Sequence, residues 1–216
     1  VNHVLLKEFH YEAKTPAFLD YTKRFTDAPY LVELHPSEDG GYRPGQLLRA
    51  NRFKNYAQAE NGEWKFLFWD EKENRPKMPM GSVGHRWGTE KGKWNLLLKD
   101  AVDGSDIAPA LTFLGGDTLP VRFDDFAGAS VKQRHVPVRT LQTADGKTVT
   151  FTTVYDLLMA QYGVSRGLKG EYPKDYDDEN EAYTPAWSEK YTGLDRKNVI
   201  KFAREWATTA EKTGGK

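Results

Sequence analysis

Two consecutive helices with clear start and stop signals close the chain, and they constrain its fold more than any other stretch. Thr184 stands before Pro185, which pairs an N-cap hydroxyl with a proline at the first helical position. A short helix is predicted to run from there to Gly193, and Asp195 caps a second helix. The second helix repeats apolar residues at spacings of three and four: Val199, Ile200, Ala203, Trp206, Ala207 and Ala210. The fold must therefore give this apolar face something to pack against.

Both ends of the sequence have the character of a segment from a longer protein. The first residue is Val1, and the apolar residues Val4 and Phe9 follow it in the pattern of a helix that is already under way. At the other end, Gly214 and Gly215 end an apolar helix, which in a folded protein normally leads into a further element. We therefore expect an internal segment of a larger chain.

Composition excludes several classes of protein. Lys+Arg and Asp+Glu both number 31, so the formal net charge is zero and a nucleic-acid partner is not expected. The chain has no cysteine, which excludes disulfides, thiolate zinc sites, cysteine nucleophiles and cysteine-ligated iron–sulfur clusters. No apolar run approaches the ~20 residues of a membrane-spanning helix. With 38% hydrophobic and 13% aromatic residues, the core should depend on Trp, Tyr and Phe.

The pattern of elements predicts an α+β fold in which helices at both ends flank a β-rich insertion. Residues 1–34 form a helix–strand section, and residues 35–135 form the β-rich insertion with long Gly- and Pro-rich loops. Residues 136–216 form a β-hairpin followed by helices. In the first section, a helix is expected from Pro16 to Phe25, with Phe18, Phe25 and either Tyr21 or Thr22 buried, before a strand at residues 30–34.

Short apolar runs mark the strands of the insertion and of the hairpin. Those of the insertion are residues 64–69, 94–99, 110–114 and 120–123. The hairpin strands are residues 136–142 and 147–152, and they are joined by a turn that contains Asp145 and Gly146. A helix should follow the hairpin from Val154 onwards and end at Gly163.

Two glycine-rich motifs in the insertion invite a functional interpretation. GTEKGKW (residues 88–94) is one residue shorter than a phosphate-binding loop, and Trp94 replaces the hydroxyl that would bind magnesium. GSVGHRWG (residues 81–88) lacks the strand–helix context of a dinucleotide-binding turn. We interpret both as structural loops. The alternative for the second is that His85, Arg86 and Trp87 line a cleft.

The polar residues suggest no self-contained chemistry. Five histidines are scattered along the chain: His3, His10, His35, His85 and His135. None pairs at the i, i+4 spacing of a helical zinc site. The acidic loop 175–181 lacks the central Gly and distal Glu of a calcium-binding EF-hand loop, and Asp124 and Asp125 would point to opposite faces of a strand. No serine lies in a G-x-S-x-G elbow. We therefore predict no catalytic, cofactor-binding or metal-ligating residue.

The tryptophans allow an alternative function. Trp64, Trp69, Trp87 and Trp94 could form a row on which sugar rings stack, although such spacing more often reflects core filling. The alternative hypothesis is thus a stand-alone, aromatic-rich module that binds carbohydrate or a protein partner.

Four stretches give the chain a resemblance to a known family. They are FLDYTKRFTDAPYLVEL (residues 18–34), GSVGHRWGTEKGKWNL (81–96), TVTFTTVYDLLMAQYG (148–163) and AYTPAWSEKYTGLDRKNVIKFAREWA (182–207). Together they resemble the alpha subunits of respiratory nitrate reductases, which are molybdopterin oxidoreductases of the DMSO reductase superfamily. The resemblance covers essentially the whole chain in colinear order. The loop 81–96 narrows it to nitrate reductases and the related nitrite oxidoreductases.

The resemblance implies a function that belongs to the parent enzyme. Such an enzyme reduces nitrate to nitrite in anaerobic respiration, at a molybdenum bound by two molybdopterin guanine dinucleotides, and carries one 4Fe-4S cluster. It works with an iron–sulfur beta subunit and a haem-containing membrane gamma subunit, and is peripheral at the cytoplasmic face of the bacterial membrane.

The resemblance also implies what this segment lacks. In the family, the cluster ligands and the Asp that binds molybdenum lie upstream of the matched region, so no site residue is carried over. The segment is then a scaffold and part of the cofactor or substrate-funnel wall, and the helices of residues 136–216 lead into the cofactor domain. It binds no cofactor and is inactive alone. We expect it to self-associate through Val199, Ile200, Ala203 and Trp206.

Overall fold

The computed structural model describes residues 1–80, 97–124 and 131–214, and the chain contains both helices and β-sheets. The prediction of an α+β class is therefore confirmed. The chain divides into two compact units that interleave along the sequence. Unit 1 comprises Val1–Tyr21, Pro120–Val136 and Leu157–Lys216, and unit 2 comprises Thr22–Leu119 and Pro137–Asp156. The division into three sections, at residues 34 and 135, stays a prediction.

The predicted helices are present. They are α1 (Asn2–Val4), which continues into a π-helix (Leu5–Glu12), then α2 (Pro16–Phe25), α3 (Val154–Gln161), α4 (Pro185–Thr192) and α5 (Arg196–Thr213). Two short 3₁₀ helices, Ala50–Arg52 and Lys54–Tyr56, lie in unit 2. The Thr184 hydroxyl accepts a hydrogen bond from the Trp187 N–H, and the Asp195 carboxylate accepts one from Asn198, so both predicted N-caps are confirmed.

Eight strands lie in the described residues. They are β1 (Leu31–Pro36), β2 (Tyr42–Leu47), β3 (Phe68–Asp70), β4 (Arg75–Lys77), β5 (Thr118–Asp124), β6 (Val131–Pro137), β7 (Arg139–Gln142) and β8 (Thr148–Thr153). In unit 2 the sheet order is β2-β1-β8-β7, with antiparallel neighbours throughout. Strands β3 and β4 form a separate two-stranded sheet, and β5 neighbours β6.

The predicted hairpin is formed by β7 and β8. Gln142 lies opposite Thr148, and Gly146 closes the turn at a φ of 81°, a left-handed conformation that glycine adopts without steric cost. The Thr143 hydroxyl donates to the Lys147 carbonyl at 2.9 Å, which fixes the ends of the turn.

Two of the predicted strands of the insertion are wrong or too long. Residues 110–114 are irregular, although Ala110, Leu111 and Phe113 are buried, because the backbone N–H of Phe113 donates to the Asp156 carboxylate instead of to a neighbouring strand. The run 64–69 is a strand only from Phe68, since the N–H groups of Trp64 and Lys65 turn back to the Asn61 carbonyl. The run 120–123 is confirmed within β5. Residues 94–96 of the run 94–99 lie outside the described residues, and Lys99 in its described half forms an isolated bridge with Asp106.

The core of unit 2 is rich in aromatic side chains, as the composition predicts. Its buried cluster comprises Leu31, Leu48, Ala50, Phe53, Tyr56, Leu67, Trp69, Met78, Ala110, Phe113, Val149 and Phe151. The ring of Trp69 lies 6.0 Å from that of Phe113 and 5.8 Å from that of Phe151, which are ordinary contact distances for aromatic pairs.

The apolar faces of two helices differ from their prediction. In α5, Ala203 and Ala207 are buried, whereas Trp206 is 54% exposed. In α2, Thr22 is buried, whereas Phe25 is 55% exposed, so the predicted burial of Phe25 is wrong. In both helices the small residues form the buried stripe, and the large aromatic ring lies beside it. Residue spacing predicts the buried face only to within about one residue, so it does not separate these two positions.

Candidate functional site

A buried arginine is the most constrained polar group of unit 1. Arg134 in β6 is 2% exposed. Its Nε donates to the Glu171 carbonyl at 2.5 Å, one terminal nitrogen donates to the Ala160 carbonyl at 2.5 Å, and the other donates to the Glu181 carboxylate at 3.3 Å. Burial lowers the pKa of Arg134. These bonds tie β6 to the end of α3 and to the loop that follows, which is a scaffolding role.

The backbone beside Arg134 allows no side chain at one position. Gly170 has a φ of 140°, and a Cβ built there would lie 2.7 Å from both the Arg134 Cα and the Gln133 carbonyl oxygen. The Tyr172 ring lies against the guanidinium, with 5.1 Å between its centroid and the Arg134 Cζ. The arginine is therefore enclosed by chain rather than presented to a ligand.

A second polar cluster of unit 1 joins the π-helix to α5. Arg204 donates to Glu8 through Nε at 2.9 Å and through a terminal nitrogen at 2.7 Å, and the Tyr176 hydroxyl donates to the same carboxylate at 2.8 Å. These hydrogen bonds, that of Arg204 first, lower the pKa of Glu8, while burial and Glu8 raise the pKa of Tyr176. Glu8 is thus held ionised as an acceptor, and Tyr176 stays a protonated donor.

The histidines do not gather into a ligand set in the described residues. His3 is 3% exposed, and its Nδ1 lies 2.5 Å from the Tyr162 carbonyl oxygen, which requires a proton on Nδ1. Burial is the main cause that lowers the pKa of His3, and it also lowers the pKa values of His10 and His135. In residues 1–80, 97–124 and 131–214, no three His, Asp or Glu side chains come together in a way that could hold a metal ion.

An arginine of α5 binds carboxylates of the acidic loop 175–181. Arg196 donates to Asp177 at 3.1 Å, to Glu179 at 2.8 Å and to Glu189. The side chains of Asp177 and Glu179 remain more than half exposed. The loop therefore docks on the start of α5 through the cation that Asp177 and Glu179 share, while Asp175 and Asp178 accept backbone N–H groups of the loop itself.

Buried carboxylates in unit 2 serve as acceptors for the backbone. Asp70 is 1% exposed and accepts from the N–H of Glu73 at 2.7 Å and from that of Ala108 at 2.6 Å. The buried Lys77 ammonium lies between the same loops, where it donates to Glu73 at 2.5 Å and to the Asp106 carbonyl at 2.8 Å. These groups pin loops together, and their protons and lone pairs are used within the chain.

Two further aspartates of unit 2 also accept hydrogen bonds from groups of their own unit. Asp100 accepts from the Tyr56 hydroxyl at 2.6 Å and from the Met78 N–H at 3.0 Å. Burial, followed by this bond to Asp100, raises the pKa of Tyr56. Asp156 accepts from the Phe113 N–H at 3.0 Å and from the Thr112 hydroxyl at 2.5 Å. Neither carboxylate is placed as a catalytic acid or base, because each is engaged by donors of its own unit.

The proposed row of tryptophans does not form. Trp69 is 6% exposed and lies in the core of unit 2, where the Arg139 guanidinium stacks on its ring at 4.7 Å. Trp64 is 55% exposed, with the Arg49 guanidinium 5.8 Å from its ring. Trp87 and Trp94 lie outside the described residues. A sugar-stacking row that requires Trp69 is therefore wrong.

Three remaining candidates fall wholly or partly outside the described residues. The glycine-rich motifs at residues 81–88 and 88–94 lie there, and so does Asp125. Asp124 is an exposed residue at the end of β5. Among the helices that the structure describes, none combines the length and apolar character needed to cross a membrane.

The sequence of the chain is similar to known proteins. No protein-family model matches the chain. The chain is 40% identical over 230 residues to the respiratory nitrate reductase 1 alpha chain of Escherichia coli (strain K12), and 36% identical over 220 residues to the nitrate reductase alpha chain of Bacillus subtilis (strain 168). It is 37% identical over 234 residues to the nitrate reductase alpha subunit of Mycobacterium tuberculosis (strain H37Rv).

These similarities define what the chain corresponds to. Each alignment includes all of this chain, but the chain spans only 17–18% of the length of these three relatives. The resemblance to nitrate reductase alpha subunits is confirmed, and the chain corresponds to one segment of such a subunit.

Proposed function

We propose that this chain, which is homologous along its whole length to about 18% of a nitrate reductase alpha chain, is a scaffold segment of the catalytic subunit of a respiratory nitrate reductase. The observation that carries the proposal is the 36–40% identity over the full chain to alpha chains from distantly related bacteria. The segment contributes packed structure and part of the wall around the cofactor or the substrate funnel. It is inactive in isolation.

The side chains of this chain that could bind a metal agree with a scaffold role. A 4Fe-4S cluster takes cysteine thiolates, and the chain has no cysteine. The buried carboxylates of Asp70, Asp100 and Asp156 already accept backbone N–H groups. These residues do not fit a ligand set for molybdenum or for the cluster. In the proposed enzyme, the molybdenum, its two molybdopterin guanine dinucleotides and the cluster are held by other parts of the subunit.

The proposed enzyme has further subunits. We assign to it an iron–sulfur beta subunit and a haem-containing membrane gamma subunit, with nitrate as the substrate and nitrite as the product. It is peripheral at the cytoplasmic face of the bacterial membrane through those partners.

The experiment uses the complete alpha subunit that contains this segment, purified with its partner subunits. With reduced methyl viologen as the electron donor, we expect nitrite to form from nitrate. A folded, cofactor-loaded enzyme without nitrate turnover would refute the proposal. An enzyme that only oxidises nitrite would assign the segment to the related oxidoreductases.

The scaffold role is tested with two variants of the same enzyme. Gly170→Ala places a Cβ against the backbone at Arg134, whereas Gly167→Ala meets no heavy atom within 4 Å. We expect Gly170→Ala to lower the yield of active enzyme and to leave KM for nitrate unchanged in the enzyme that folds. A change in KM with an unchanged yield would indicate a direct contact with substrate instead.

A further inference from the structure

Helix α5 presents an exposed aromatic pair beside its buried stripe. Ala203 and Ala207 are buried at 0% and 1% exposure, whereas Phe202 is 57% exposed and Trp206 is 54% exposed. The two rings lie four residues apart on the helix and stack on each other, with 6.1 Å between centroids and 28° between planes. Large aromatic side chains arranged in this way form a preassembled apolar surface.

The flank that carries this pair has no charged residue. At about 100° per residue, five residues of α5 fall within an arc of about 80°. This aromatic flank comprises Asn198, Phe202, Trp206, Thr209 and Thr213. The seven charged residues of the helix occupy the remaining arc, with Glu205 and Lys212 next to Asn198 at the edge of the flank and Arg204 and Glu211 opposite it. A fully solvated helix would have no reason to segregate its charges in this way, whereas the buried centre of an interface is depleted of charge and enriched in Trp and Phe.

The area of the flank argues against a second copy as its cover. A Phe or Trp side chain buries about 150–250 Å² when it is fully covered, so the half-exposed pair offers about 200 Å². A stable complex between separate molecules needs about 800 Å² from each partner. Contact within one chain does not pay the translational and rotational cost of association, so a patch of this size is stably covered intramolecularly.

We propose that the aromatic flank is an internal docking surface, covered by another part of the same alpha subunit. This inference rests on the proposed function. The chain spans 18% of its relatives, so most of such a subunit lies outside the matched segment and is available as the cover. The covering surface is apolar and uncharged, because a charged group placed against Phe202 and Trp206 would lose its hydration without gaining a partner.

Hydroxyl-radical footprinting of the complete alpha subunit tests the proposal. Oxidation of Phe202 and Trp206 is quantified by mass spectrometry in the native subunit and in the same subunit unfolded in urea. The exposure of about 55% in this structure predicts about twofold protection. Burial to the level of interior residues predicts about tenfold protection.

Each outcome decides the matter. About tenfold protection that is independent of protein concentration, and that is present without the partner subunits, supports the proposal. Twofold protection overturns it. Protection that disappears on dilution assigns the flank to a second copy, and protection that requires the other subunits assigns it to them; both also overturn it.

A variant pair adds an independent readout. In the complete subunit, Trp206→Gln is expected to lower the unfolding midpoint and to raise oxidation of Phe202 about fivefold, whereas Lys201→Gln, outside the flank on the same helix, changes neither. Nitrate reduction by the same preparation separates the two claims. Activity with only twofold protection defeats this inference alone, and a folded subunit with cofactors but without activity defeats the proposed function.

Discussion

At the scale of single residues, Arg134 shows how a buried charge can serve structure alone. Replacement of Arg134 by Met removes the donors to the Glu171 and Ala160 carbonyls and to the Glu181 carboxylate. Glu181 keeps its pair with Lys132 at 2.9 Å, but the two carbonyls lose a charged donor, so we expect the free energy of unfolding to fall by about 3 kcal/mol. Urea denaturation followed by fluorescence measures the change.

The control for this prediction is Arg43→Met. The Arg43 side chain is half-exposed and pairs with Asp39 at 3.8 Å, so its replacement should alter stability by less than about 0.5 kcal/mol. Equal effects of the two variants would contradict the view that burial and carbonyl bonding make Arg134 special.

The two glycines of the loop beside Arg134 give a second prediction. Gly167 and Gly170 both have positive φ values, 77° and 140°, so alanine is strained at either position. Only at Gly170 would the added Cβ also clash, with Arg134 Cα and Gln133 O at 2.7 Å. We expect Gly167→Ala to lower the free energy of unfolding by about 1 kcal/mol, and Gly170→Ala by at least about 2 kcal/mol more. Chemical denaturation of both variants tests the difference, and equal losses would count against the clash.

His3 should make stability depend on pH near neutrality. Burial lowers its pKa in the folded state below 6.5, so the unfolded chain binds a proton there more readily. Stability contributed by neutral His3 is therefore present above about pH 6.5 and is lost as the pH falls below it. We expect the free energy of unfolding to decline between pH 7.5 and pH 5.5, and His3→Gln to flatten part of that decline. An identical slope in His3→Gln and in the native sequence would refute the assignment.

At the scale of elements, Glu8 links the π-helix to α5 and gives a test of that contact. Arg204→Gln removes two charge-assisted hydrogen bonds. Because the Arg204 side chain is 54% exposed and screened by solvent, we expect a loss of only about 1 kcal/mol at pH 7. The pKa of Glu8 is lowered from 4.5 in the folded state, so the contribution is complete above about pH 4.5 and is lost as the pH falls from there through the folded-state pKa.

Thermal unfolding of Arg204→Gln and of the native sequence at pH 7 and pH 3 measures this contribution. The matched control is Lys201→Gln, one turn earlier on α5, where a 72% exposed lysine approaches Glu205 at 3.8 Å. A difference between Arg204→Gln and the native sequence that is as large at pH 3 as at pH 7 would show that the ion pair is not its cause.

Helix boundaries could be predicted from sequence because their signals are local. Thr184, Pro185 and Asp195 act on backbone groups within one helical turn, and Gly193 and Gly214 adopt the left-handed C-cap conformation that only glycine enters freely. The hairpin of β7 and β8 could be predicted for the same reason, since its turn lies directly between the two paired strands. Such elements depend little on the rest of the fold.

Strands that depend on distant partners escaped the same reasoning. β2 contains Pro44 and Gly45, which argue against a strand, yet it pairs with β1. A Cβ at Gly45 would lie 2.4 Å from the His35 ring, so the glycine reflects a close approach of two strands. Conversely, residues 110–114 have an apolar strand pattern but bond to Asp156, 43 residues away from Phe113. Partners at that separation leave no periodic signal.

At the scale of the whole molecule, the chain is similar to one segment of a longer protein, and its buried or ion-paired polar groups serve the structure of that segment. Arg134, Glu8, Lys77 and Asp70 are the groups that a search for chemistry would select, and each is engaged by its own unit. None could be predicted, because no motif distinguishes a buried structural ion from an exposed one. The sequence motifs did predict the family, and the alignment over the whole chain confirmed it.

The last prediction follows from this division between scaffold and chemistry. Expressed alone, the chain should reduce no nitrate with reduced methyl viologen, and should hold neither iron nor molybdenum in stoichiometric amount. The reason is that it has no cysteine and that its described residues gather no metal-binding set of His, Asp or Glu. Elemental analysis and a nitrite assay on the isolated chain test this, with the complete alpha subunit from the same host as the positive control. Turnover above background, or one bound cluster per chain, would show that the segment holds chemistry of its own.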